Sequence, residues 1–167
     1  MNTLCLRPPN FGDEAEVMIA HKQMLNEGFT FATGLRENEP WQGYLNRLDS
    51  YQYGQEAQWV PSTFLVAEVD GKIVGRTSIR FELDAHLAHE GGHIGYGVVP
   101  SERRKGYATQ ILIQSLDVAR GAGVQRVLVT CVVSNEGSTK VIERCGGVLD
   151  SVVLSNDGSM VNRFWIE

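Results

Sequence analysis

A strand, a glycine-containing turn and a helix follow one another without interruption between Gly92 and Ala119, and this succession constrains the fold more than any other stretch. The apolar run HIGYGVVP, His93 to Pro100, stops at a proline, which has no N–H with which to continue a ladder. SERRKGYATQ follows, and from Gly106 onward Ala108, Ile111, Leu112, Leu116 and Ala119 form one apolar stripe at helical spacing. Gly121 and Gly123 end that helix. Val127 to Val133 is then a continuous apolar run rich in β-branched residues, the pattern of a strand buried on both faces.

The flanking sequence supplies the rest of a sheet. Leu4 to Arg7 reads as a first strand ended by Pro8 and Pro9, and Asp13 to Asn26 has helical composition closed by Gly28. Trp41, Tyr44, Leu45, Leu48 and Tyr51 recur at three- and four-residue spacing, which predicts an amphipathic helix over Glu39 to Tyr51. Phe64 to Val69, Asp70-Gly71 and Ile73 to Phe81 make a hairpin, because Asp-Gly supplies the positive φ angles of a tight turn. Ser138 to Arg144 suits a short helix, and strands over Val148 to Leu154 and Met160 to Ile166 flank Asn156-Asp157-Gly158. An antiparallel run of strands followed by strands alternating with helices implies an α/β (α+β) fold. It has one mixed, mostly antiparallel sheet with helices on both faces, in a single domain over residues 1–167.

A chain of 167 residues is long enough for one sizeable core and short for two. The 15 Lys+Arg against 20 Asp+Glu leave a formal charge of -5, so no global basic field recommends nucleic acid or an anionic membrane as partner. Cys5, Cys131 and Cys145 are odd in number and lack C-x-x-C spacing, which argues against a disulfide framework and a zinc site. No apolar run approaches bilayer length and the N-terminus lacks a signal pattern, so a cytoplasmic location is expected.

The basic turn raises the question of what it holds. The first turn of a helix has unpaired N–H groups and the positive end of the helix dipole, together an anion site. Gly106 lets a phosphate approach the backbone, and Arg103, Arg104 and Lys105 add formal charge around it. Neither G-x-x-x-x-G-K-S/T nor a G-x-G-x-x-G opening a helix is present. A basic turn that only caps its helix with solvated charge remains the alternative.

Arg103-Arg104-Lys105-Gly106-Tyr107-Ala108 matches the Arg/Gln-x-x-Gly-x-Gly/Ala pyrophosphate loop of the GCN5-related N-acetyltransferase family, in the strand-turn-helix setting that family uses. Asn135-Glu136-Gly137-Ser138, followed by Val141, Ile142 and Cys145-Gly146-Gly147, resembles its second motif, an asparagine after the fifth strand and a short helix ending in glycine. IVGR, GGHIGYGVVPSERRKGYAT and VIERCGG are similar to a subgroup known mainly as predicted acetyltransferases, and the resemblance covers most of the chain.

The resemblance implies acetyl-CoA as cosubstrate, no metal, and transfer of the acetyl group to a primary amine by direct attack in a ternary complex. Val98 and Val99 are then expected to offer backbone groups to the pantetheine, one amide serving as oxyanion donor. Gly106, Tyr107 and Ala108 would meet the pyrophosphate with Arg103, Arg104 and Lys105 around it, and Asn135 would bond on the cofactor side. Glu90 and His93, at the start of the motif strand, are the candidate general bases, against the plainer reading of a solvated carboxylate and a satisfied strand histidine. Ile142 stands where the family often has a tyrosine acid, with Tyr96 and Cys145 as weak substitutes.

The acceptor is read as a small molecule or a peptide amine, and a homodimer is allowed. Phe29, Phe31, Trp41, Tyr44, Tyr51, Tyr53 and Trp59, with Glu27, Glu37, Glu39, Asp49 and Glu56, form either an aromatic and acidic wall suited to a cation or simply core. The rival to an enzyme is an acyl-CoA-binding sensor or interaction module, favoured by Ile142.

Overall fold

The computed structural model describes residues 3–167. Seven strands form one sheet in the order β1-β2-β3-β4-β5-β7-β6. They are β1 (Cys5–Arg7), β2 (Ser62–Val69), β3 (Lys72–Arg80), β4 (Ile94–Val98), β5 (Val127–Val132), β6 (Val148–Leu154) and β7 (Met160–Ile166). Every pairing is antiparallel except β4 with β5. The four α-helices are α1 (Glu14–Leu25), α2 (Trp41–Gln52), α3 (Tyr107–Gly121) and α4 (Glu136–Arg144).

The sheet is sandwiched because its two faces are both apolar. α1 and α2 cover one face: Val17, Ala20, Met24, Trp41, Tyr44, Leu48 and Tyr51 pack with Phe64 and Val66 of β2. On the other face the predicted stripe of α3, Leu112, Leu116 and Ala119, joins Ile142 of α4 against Leu65, Ile79, Ile94, Val127, Val129 and Phe164. At about 25 cal/mol per Å² of apolar surface removed from water, these two clusters are the main stabilising term.

Most boundaries agree with the sequence reading to within two residues. The hairpin turns at Asp70 (φ 50) and Gly71 (φ 76), both in the left-handed region that Asp-Gly was expected to supply. Three short elements were not anticipated: 3₁₀ turns at Phe11–Asp13 and Pro100–Glu102, and a wide π-type turn at Leu87–Gly91. The last is held from outside, Thr130 Oγ1 donating to the Glu90 carbonyl at 2.7 Å and Arg163 Nη2 to the Ala88 carbonyl at 2.9 Å. No local periodicity announces such a turn.

Candidate active site

The site forms where β4 and β5 part. Their ladder has a single register pair, Ile94 with Val129, whereas β3 and β4 are paired continuously from Gly75–Val98 to Ile79–Ile94. Val99 N–H donates to the Val74 carbonyl at 2.9 Å, which fixes the phase of β4. Successive residues of a strand alternate the side to which their N–H points. The N–H groups of Tyr96 and Val98 therefore face the opening beside β5, and that of Val99 does not. Of the jointly expected pair Val98 and Val99, the Val99 amide is already engaged on β3 and is not open to an incoming oxygen, whereas the Val98 amide faces the opening.

The basic loop crosses the end of this opening. Gly106 (φ 82) is left-handed, and a Cβ built there would meet nothing within 4 Å, so the backbone is approachable from outside. α3 starts directly after it, and the amides of Tyr107 and Ala108 belong to the first turn, which has no intrahelical acceptors. The three cations are disposed differently. Arg103 folds back, its Nε donating to the Val98 carbonyl at 3.2 Å and its guanidinium pairing with Glu27. Lys105 Nζ lies 2.7 Å from Glu102, which also pairs with Lys72. Arg104 (φ 66) is exposed and has no ion pair among the described residues. These features fit a diphosphate: open amides, a glycine with room above it, and one uncommitted guanidinium.

Asn135 is the N-cap of α4, its Oδ1 accepting from Ser138 N–H at 3.0 Å. The carboxamide oxygen thus has a structural task, and its second lone pair and the amide nitrogen are left to bond elsewhere. Ile142 is fully buried in the core. The Tyr96 hydroxyl lies 2.7 Å from Ser138 Oγ, joining β4 to the first turn of α4, and burial pushes its pKa up, so it is a protonated donor.

Of the two base candidates, His93 is 7 % exposed. Its Nδ1 accepts from Leu128 N–H at 2.9 Å, so the neutral ring carries its proton on Nε2 and offers no free lone pair. Burial, and then the charge of Arg80, lower its pKa. Glu90 sits in the π-type turn with its carboxylate toward the β6–β7 turn. Ser155 Oγ donates to it, Asn156 N–H lies at 3.4 Å and His86 Nδ1 at 3.3 Å. The Ser155 bond is the main reason its pKa is lowered. A carboxylate has about four acceptor sites, so Glu90 alone of the two has capacity left for a water.

The acidic and aromatic wall is not built as such. Trp41, Tyr44 and Tyr51 are core, Trp59 stacks on Tyr51 with centroids 4.7 Å apart, Glu39 pairs with Arg47 and Glu27 with Arg103. The same connection covers Arg76, which, like Arg80 of the same strand, the sequence reading did not single out. Arg76 donates to the carbonyls of Gly95 (3.0 Å) and Thr30 and stacks on Phe29 at 4.4 Å, and Arg80 follows four residues further along β3 on the same face. Their signal was available: two cations at i, i+4, hence on one face of a strand otherwise buried on both.

Among the curated proteins none matches this chain. The model of the Acetyltransferase (GNAT) family matches residues 32–147, more than half of the sequence. Three solved structures superpose over nearly the whole length. A putative acetyltransferase, yncA of Salmonella typhimurium with acetyl-CoA, is 16% identical (TM-score 0.68, 99% of this chain and 94% of that one). The Microcin C7 self-immunity acetyltransferase MccE with acetyl-CoA and AMP is 19% identical (0.69, 98% and 91%). A putative GnaT-family acetyltransferase of Bordetella pertussis is 17% identical (0.71, 100% and 99%). At such identities the likeness is one of fold; together with the family match, the parted strands and the open glycine loop, it shows that the chain belongs to the GNAT acetyltransferase family.

Proposed function

We propose that the chain, as one domain over residues 1–167, is an N-acetyltransferase of the cytoplasm that moves the acetyl group of acetyl-CoA to a primary amine by direct attack in a ternary complex. The observation that carries this reading is the parting of β4 and β5 beyond Ile94, with the Tyr96 and Val98 amides facing the opening and Gly106 at its end. Two of the similar structures hold acetyl-CoA.

In this reading Gly106, Tyr107, Ala108 and Arg104 hold the diphosphate. Val98 N–H donates to the thioester oxygen as it gains negative charge. The amine nitrogen attacks the carbonyl carbon, the C–N bond forms, and the C–S bond breaks with its electron pair leaving on sulfur. Glu90 takes the amine proton through a water, and Tyr96 returns one to the thiolate. His93 positions Leu128 and the start of β4 and does not itself accept the proton.

Release of free coenzyme A thiol, with a product heavier by one acetyl group, tests the activity against a panel of amines. The second reading, an acyl-CoA-binding module without turnover, is favoured by the burial of Ile142 where a tyrosine acid is usual. Acetyl-CoA binding in calorimetry without transfer to any amine supports that reading and overturns the first.

A further inference from the structure

Arg76 and Arg80 are two charged groups of β3 that the mechanism leaves unused. Arg76 is 5 % exposed, lies in the middle of the sheet, and has no carboxylate partner among the described residues. Its Nε is buried with no acceptor at all. Arg80 has no ion pair either; its nearest acceptors are the Gly91 and Gly92 carbonyls, both at 3.5 Å, the outer limit of a hydrogen bond. Asp84 acts on it only through its field. A buried guanidinium without a counter-charge is expensive, and that of Arg76 also lies within the field of the half-buried Arg80.

Both converge on one spot. From the position a Cβ would take on Gly95, Arg80 Nη1 is 3.4 Å away and Arg76 Nη1 3.7 Å. Gly95 is the β4 partner of Ser78, the residue between the two arginines on the same face, and the Ser78 hydroxyl has no hydrogen-bond partner among the described residues. Two histidines border the arginines, and neither supplies negative charge. His93 accepts from Leu128 N–H and His21 Nδ1 from Ala32 N–H at 3.0 Å. Each is held toward its neutral form by burial and by the nearer arginine.

We propose that the amine acceptor carries an acid group, a carboxylate or phosphonate, received over Gly95 by the guanidiniums of Arg80 and Arg76 with the Ser78 hydroxyl as third donor. The site lies on the strand that opens toward β5, one and three residues before the Tyr96 and Val98 amides. A small amino acid or its phosphonate analogue spans such an interval with its acid group at Gly95 and its amine toward the opening. Paired guanidiniums suit a planar or tetrahedral oxyanion better than any cation. This assignment deepens the acetyltransferase reading and rests on it for the position of the amine, but the anion site is testable alone.

The test compares, on the full chain with coenzyme A bound, matched sets of L-leucine, its phosphonate analogue, leucinamide and isopentylamine, repeated with glycine and phenylalanine and their counterparts. Binding is read by calorimetry on that complex, and transfer by thiol release after acetyl-CoA replaces coenzyme A. The acid-bearing member of at least one set is expected to bind about tenfold or more tighter than its partners that lack the acid group. The carboxylate and phosphonate arms decide which acid is preferred. Arg80→Ala abolishes the preference and raises the acceptor KM. Gly95→Ala, whose methyl occupies the anion position at ordinary contact distances, does the same while circular dichroism stays native.

Arg76→Lys is the milder change at the buried position, where Ala risks the fold. If the partners lacking the acid group bind as well as the acids in every set, or Arg80→Ala leaves the preference intact, the proposal is overturned. Anion binding without transfer leaves the site standing and sinks the enzyme; transfer only to amines without an acid group does the reverse.

Discussion

The Nε of Arg103 donates to the carbonyl of Val98, 3.2 Å away, so the first cation of the basic loop is bound to the strand that precedes it. With Lys105 committed to Glu102, Arg104 is the residue left for an incoming phosphate. Arg104→Ala is therefore expected to weaken acetyl-CoA binding about tenfold in calorimetry, with a smaller dependence on salt than wild type. Lys105→Ala has a smaller effect. The reverse ranking would reassign the phosphate contact.

Gly106 separates charge from strain. Gly106→Asn and Gly106→Asp both place a side chain at φ 82, which asparagine and aspartate tolerate better than other residues. Only aspartate brings a carboxylate to the diphosphate. Acetyl-CoA affinity in Gly106→Asp is expected to lie at least about tenfold below Gly106→Asn, with similar melting temperatures. Equal affinities would remove the loop from the cofactor site.

The Tyr96 hydroxyl meets Ser138 Oγ in the first turn of α4, and burial keeps it protonated through the neutral range. Tyr96→Phe is expected to lower kcat about tenfold with little change in the KM for acetyl-CoA. That is below the hundredfold of a strong general acid, because a thiol of pKa about 8.5 leaves fairly well unaided. An unchanged kcat would assign proton delivery to solvent.

Glu90 and His93 are told apart by the pH profile. Glu90→Gln is expected to reduce kcat at least about tenfold at neutral pH, the deficit shrinking as pH rises and more amine is neutral without help. His93→Asn, which retains an acceptor for Leu128 N–H, is expected to leave kcat within about threefold. A large, pH-dependent loss in His93→Asn would make His93 the base.

The depressed histidines also set a stability window. His93 and His21 are held below their ordinary 6.5 in the folded chain by burial and then by Arg80 and Arg76 respectively. Below about 6.5 the unfolded chain binds more protons than the folded one, so this stability is complete above 6.5 and is lost as pH falls from there toward the folded values. Between about pH 6.5 and 5, with the carboxylates still ionised, melting temperature is expected to fall, and His93→Asn to flatten the slope. A flat wild-type profile across that range would contradict the depressed values.

The sequence alone determined the elements with strong period or forced turns: β6 and β7 appear over the residues predicted, and Asp70-Gly71 turns the hairpin as expected. It also marked Gly106, because a left-handed glycine before an amphipathic helix is a local feature written in adjacent residues. Only the tertiary structure decided which groups are free. Whether Val99 or Val98 presents its amide depends on the phase of β4 against Val74. Which loop cation is uncommitted depends on Glu27 and Glu102, and whether His93 has a lone pair depends on Leu128, thirty-five residues away. The spacing of Arg76 and Arg80 puts them on one strand face, but that they meet over one glycine is decided by β4, which brings Gly95 beneath them. Local sequence fixes backbone conformation through short-range sterics and periodic burial, whereas hydrogen-bond capacity and charge compensation are settled by whichever groups the fold brings together from distant parts of the chain.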